Sequence, residues 1–137
     1  MKTQFNITDI AWMGGFLTGD GCVGLYTTSR GYPLPLVNVV NTERELLKPF
    51  QKLFGGSIKR IHKKGLVMGY RKNHDTYAWE VSCRKALQAC IVLVPFIKGK
   101  KKDKTFKIID HYAKRKWVIV HNEKGKCLGT RIIDRRT

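Results

Sequence analysis

The stretch TDIAWMGGFLTGDGCVGLY, Thr8 to Tyr26, sets a carboxylate in an unusual place. Asp20 follows an apolar helical run, at the end where the helix macrodipole is negative, so its charge is unfavourable unless a cation lies beside it. The run also carries four glycines within eight residues, each costing roughly 0.5–1 kcal/mol against alanine inside a helix. Ala11, Gly15 and Gly19 recur every four residues, as do Gly14 and Thr18, which makes a helix ridge almost free of side chains. Such a ridge suits close approach by another backbone, most simply a second copy of the same helix. Packed about a two-fold axis, it would bring two Asp20 carboxylates together near backbone carbonyls. That is an oxygen-rich setting for Mg²⁺, and against a phosphodiester it is a layout for metal-assisted hydrolysis.

The elements that must position Asp20 can be read in outline. Thr8 is the expected N-cap of a helix from Asp9 to about Gly19. Two extended stretches, Cys22 to Thr28 and Leu34 to Asn41, flank a Gly-Pro-rich turn and read as a hairpin. Thr42-x-x-Glu45 is a capping box for a second helix closing on Gly55, with Pro49 inside it. A second strand pair follows, SIKRIHKK and TYAWEVSC, joined by the basic loop GLVMGYRKNHD. RKALQACIVLVPF reads as a helix stopped near Pro95, KDKTFKIIDHYAKRK as another, and the tail has two apolar patches about an Asn-Glu-Lys-Gly turn. The order α-β-β-α-β-β-α-α, with antiparallel hairpins and no internal repeat, makes one α+β domain over residues 1–137.

The 137-residue chain has 27 Lys plus Arg against 10 Asp plus Glu, a net charge of +17. An excess of this size calls for a polyanionic partner, and nucleic acid fits better than a membrane, since no basic amphipathic surface helix or apolar span is visible. The charge is uneven: Lys98 to Lys116 holds nine basic residues and two acids. The four cysteines have no CxxC spacing and no histidine at ligand spacing, which excludes a zinc site. Cys83 and Cys90, seven apart, read as core packing in a reducing intracellular compartment, a bacterial or archaeal cytoplasm or an organelle. His121-Asn122 lacks the partner histidines an HNH nuclease would need.

MGGFLTGDG, Met13 to Gly21, resembles the signature of the LAGLIDADG homing endonucleases. It matches at Gly15, Asp20 and Gly21, keeps small or apolar residues at Gly14, Phe16, Leu17 and Gly19, and departs at Thr18, where the family has its first aspartate. The resemblance extends in element order over a core of about 8–116, leaving 117–137 as an extension. With one motif the chain is similar to the homodimeric group, whose curved antiparallel sheets form a saddle over a long near-palindromic duplex.

The resemblance implies a Mg²⁺-dependent DNA endonuclease, a phosphodiester hydrolase making a double-strand break, with Mn²⁺ as a substitute and Ca²⁺ binding without supporting cleavage. Asp20 and the Gly19 carbonyl would hold the metal, and Asn41 stands where a polar residue orients solvent. Lys98 or Lys100 would stand beside the scissile phosphate, with spacing from Pro95 favouring Lys100. Ala11, Gly14, Gly15, Thr18 and Gly19 would form the dimer contact. DNA readout is expected from Tyr26 and Thr28 on the first strand, with Arg30 and Tyr32 at the tip. Asn38 follows on the return strand, then Arg60 and His62, and Arg71 and Lys72 in the loop, since strand side chains alternate. Lys114 and Lys116 are expected on phosphates. Tyr77, Trp79 and Val81 share a face that pattern alone leaves as either core or groove. The alternatives are a maturase acting on intron RNA and a non-cleaving DNA-binding regulator on the same fold.

Overall fold

The structure is a computed structural model describing residues 5–67, 70–72, 74–113 and 116–134, with side chains described for 5–65, 74–113 and 122–126. Helix α1, Ile7–Asp20, is capped by Asn6 rather than Thr8. Asn6 Oδ1 accepts from the Asp9 N–H at 2.8 Å and Asp9 Oδ2 from the Asn6 N–H at 3.4 Å, a closed capping box. Strands β1, Gly21–Thr27, and β2, Pro33–Asn41, form the expected hairpin.

The second capping box does not form. Asn41 Oδ1 takes the Glu43 N–H at 2.8 Å, a 3₁₀ turn covers Arg44–Leu46, and only then does α2, Lys48–Phe54, begin, with Pro49 harmlessly in its first turn. Gly55 ends α2 at φ 77°, a conformation that favours glycine. Strands β3, Ser57–His62, and β6, Thr76–Ser82, pair antiparallel. The basic loop between them contains a small hairpin of its own, β4, Gly65–Val67, with β5, Tyr70–Lys72. Helix α3, Cys83–Leu93, runs into a 3₁₀ turn at Val94–Phe96, and α4 spans Lys100–Ala113. The tail forms a hairpin of β7, Lys116–His121, and β8, Cys127–Asp134, packed against β2, α3 and α4.

The main sheet is antiparallel in the order β1-β2-β6-β3. One face is buried: Val23, Val37, Val39, Trp79 and Val81 meet Met13 and Leu17 of α1, Phe50 of α2, Leu93 of α3 and Ile108 of α4. Tyr77, Trp79 and Val81 therefore face the core, and the Trp79 indole N–H donates to the Gly55 carbonyl at 2.8 Å. An aromatic chain links this core to the surface, with ring centroids 5.0 Å apart for Phe50–Trp79, 5.9 Å for Phe16–Phe50 and 5.1 Å for Trp12–Phe16. The alternate residues of the same strands make a second, open face.

Cys90 is a buried free thiol, pushed up to about 12 by burial, and Cys22 is an exposed one. Cys83 is buried as expected but is disulfide-bonded, unlike the chain of reduced thiols the sequence suggests.

Candidate metal centre and nucleic-acid interface

Asp20 lies exposed at the C-terminal end of α1, where the chain turns directly into β1. Asn41, at the far end of β2, reaches it: the Asn41 amide donates to Asp20 Oδ2 at 3.3 Å. The same side chain accepts from Glu43, so its orientation is held at both ends. Two residues 21 positions apart in the sequence thus meet because β2 returns antiparallel beside β1.

A third residue joins them that sequence reasoning missed. Lys101 Nζ donates to the Thr18 carbonyl at 2.6 Å and lies 3.4 Å from those of Leu17 and Gly19. An ammonium therefore sits on the negative end of the α1 dipole and offsets the penalty of Asp20. Lys98 and Lys100 are exposed, the first on the connection into α4 and the second opening it. The Lys98 backbone N–H donates to the Thr18 hydroxyl at 3.3 Å.

Among the described residues no three His, Cys, Asp or Glu side chains gather into a metal-binding group. With the Thr18 carbonyl taken by Lys101, what the end of α1 offers is the Asp20 carboxylate and the more loosely held Gly19 carbonyl, hard oxygen donors of the kind that Mg²⁺ and Ca²⁺ take. Among the described residues these donors are too few to enclose an ion by themselves.

The glycine ridge divides in two. Gly14 is buried, and a Cβ there would lie 2.4 Å from Phe96 Cβ, so its bareness serves packing within the chain. Thr18 is likewise occupied internally, donating its hydroxyl to the Gly14 carbonyl at 2.8 Å. Gly14 is therefore covered within the chain, while Thr18 stays half-buried. Gly15 and Gly19 are exposed with nothing within 4 Å of where a Cβ would stand, and the half-buried Ala11 and exposed Trp12 precede them.

The open sheet face assembles several expected DNA contacts. Tyr26 is 49% exposed there, its ring lying where a side chain on Gly24 would have to be. Asn38 pairs with Cys22 on one side and Glu80 on the other. His62 opposes Thr76 on this face, as does Lys59 with Ala78. Arg60 does not belong to it. It opposes Tyr77 on the helix-bearing face, in regular alternation with Ile58 opposite Trp79, and the bulge between Arg60 and His62 returns His62 to the open face. Arg60 instead lies 3.6 Å from Asp75, whose carboxyl is held low mainly by the Lys64 backbone N–H. Thr28 is a turn residue: its hydroxyl accepts from the Tyr32 N–H at 3.1 Å. Arg30 is exposed at the hairpin tip, lining a shallow pocket with Asn122, Glu123 and Lys124, while Tyr32 is half-buried. Arg71 and Lys72 lie in β5 and Lys116 opens β7, their side chains outside the described part, and Lys114 falls outside the described residues.

No family sequence model matches the chain, and no curated protein matches it in sequence. Solved structures do. The homing endonuclease I-CvuI, in complex with the I-CreI target in the presence of Mg, superposes with a TM-score of 0.60 at 20% identity, over 78% of this chain and 67% of that one. The LAGLIDADG meganuclease I-CpaMI, bound to uncleaved DNA, gives 0.53 at 19% identity, over 78% of this chain and 37% of that one. The group I intron-encoded homing endonuclease I-CeuI, complexed with DNA, gives 0.54 at 16%, over 82% and 55%. This chain has the LAGLIDADG homing-endonuclease fold. Asp20, at the end of α1, and the exposed Gly15 and Gly19 all lie in the nonapeptide Met13 to Gly21 that resembles the signature. No helix among the described residues is long and apolar enough to cross a membrane.

Proposed function

We propose that the chain is a homodimeric, divalent-metal-dependent DNA endonuclease that cuts both strands of a long, near-palindromic site. The observation that carries this reading is the placement of Asp20. It is exposed at the end of α1, oriented by Asn41 at 3.3 Å, and sits between an open glycine ridge and an open sheet face. Two copies meeting along Ala11, Gly15 and Gly19 would join their sheets into one surface and bring both Asp20 side chains to its centre.

Asp20 and the Gly19 carbonyl would hold the ion, Mg²⁺ or in its place Mn²⁺, which would supply charge neutralisation and an activated nucleophile at the phosphodiester. Asn41 fixes the carboxylate and offers its amide to solvent beside it. Lys101 keeps the end of α1 electrically balanced, and the exposed Lys98 and Lys100 are free to approach phosphate. Tyr26, Asn38 and His62 face the grooves, while the net charge of +17 supplies sequence-independent attraction to the duplex. What supports cleavage over a non-cleaving regulator or an intron-RNA maturase is that Asp20, Asn41 and the basic run from Lys98 are all present and gathered at one end of α1.

The test is selection of cleaved duplexes from a randomised library with Mg²⁺. The expected result is a near-palindromic site, cut on both strands and untouched when the metal is chelated. Recovery of bound but never cleaved duplexes, or of RNA alone, would overturn it.

A further inference from the structure

Glu80 is an acid where the surrounding logic asks for a base. Its strand neighbours Trp79 and Val81 are 0% and 3% exposed in the core, so Glu80 points to the open face and is itself exposed. The register places it in one row with Cys22 and Asn38 on one side and Ser57 on the other. The ion pairs among the described residues, Lys48–Glu45 and Arg60–Asp75, do not include it. An unneutralised carboxylate facing a polyanion weakens sequence-independent attraction. Its place on this face needs a gain that phosphate contact cannot supply.

The gain lies in what a carboxylate can and cannot accept. Ionised, it is an acceptor only. In the major groove guanine presents the acceptors N7 and O6, thymine an acceptor and a methyl, and both repel it. Cytosine presents an amino donor, and adenine presents one beside an acceptor. Asn38 directly opposes Glu80, so their Cα atoms lie roughly 4.5–5.5 Å apart and the two side chains reach the same or adjacent base pairs.

We propose that Glu80 is a specificity-determining residue that requires an amino-bearing base, cytosine above all, at one position of each half-site and rejects guanine and thymine there. The proposal rests on the open face being the duplex-binding face.

The test compares wild type with Glu80→Gln in selection of bound duplexes from a randomised library without added metal, with affinities measured at two salt concentrations. An amide both donates and accepts, so Glu80→Gln should admit guanine at one position per half-site. The wild-type preference for cytosine there should shrink by about tenfold or more, with every other position unchanged. If Glu80→Gln keeps the same base preferences throughout and merely binds all sequences more tightly, the carboxylate only repels phosphate and the proposal fails alone. If wild type selects no sequence at all, the proposal fails together with the duplex-binding reading. Far-UV circular dichroism and a urea midpoint matching wild type identify a folded variant, as expected for an exposed position.

Discussion

The Lys101 ammonium lies 2.6 Å from the Thr18 carbonyl oxygen, so a side chain of α4 closes the last turn of α1. Charge of this sign at a helix C-terminus contributes up to about 2 kcal/mol when partly buried. Lys101→Met should lower the unfolding free energy by about 1–2 kcal/mol in urea titrations at low salt, with part of the loss disappearing at high salt. Lys100→Met should leave the midpoint unchanged, because Lys100 is exposed. Equal effects from the two variants would contradict the placement.

Gly14 and Gly15 are adjacent and should respond oppositely to the same change. Gly14→Ala puts a methyl against Phe96, where a Cβ would stand 2.4 Å from its neighbour, and overpacking of this kind costs about 1–3 kcal/mol. Gly15→Ala has open space around it and should gain roughly 0.5–1 kcal/mol of helix propensity in a monomer. Gly15→Leu should fold yet sediment as a monomer, since the bulk falls on the ridge rather than in the core. A Gly15→Leu protein that still dimerises would remove the ridge from the interface.

Replacing Asp20 should separate cutting from binding. Asp20→Asn keeps the shape of the side chain but removes its charge, so cleavage of both strands should fall by orders of magnitude while duplex binding survives. Asn41→Ala should cost less, since it frees the carboxylate without removing it. A cleavage time course beside a filter-binding titration decides the matter, and undiminished cutting by Asp20→Asn would end the proposed mechanism.

Two free thiols among the described residues report on opposite sides of the sheet. Cys22 is exposed on the open face, whereas Cys90 is buried and raised to about 12. The raised value keeps Cys90 protonated at pH 8, with thiolate appearing only as pH climbs towards 12. A maleimide at pH 8 should therefore label Cys22 quickly and Cys90 only on unfolding. A bound duplex should protect Cys22. Unchanged labelling of Cys22 in the complex would place the duplex elsewhere.

The meeting of Asp20 with Asn41 was legible in the sequence, because the signature marks one and the end of a hairpin strand marks the other. Lys101 was not. The run Lys100-Lys101-Lys102 offers three identical side chains, and only the rotational setting of α4 against α1 selects which one reaches the carbonyls. Arg60 and His62, two apart, were expected on one face, and the bulge between them, which leaves no mark on residue type, puts them on opposite faces. Alternation likewise grouped Tyr77, Trp79 and Val81 but could not say which side the helices cover. Thr8 and Asn6 are both good capping residues, and the reciprocal bond from Asp9 decides for Asn6.

The bulge in β3 has a consequence for the protein's behaviour at high concentration. β3 is an outer strand of the sheet, and its unpaired backbone groups are a template on which another chain could add. Lys59, Arg60, Lys63 and Lys64 are all exposed along it and just beyond, and the bulge breaks its regular spacing. A flat, neutral edge would invite fibrous aggregation, whereas a charged and irregular one repels its own kind. Charge and bulge together thus guard this strand against edge-to-edge assembly.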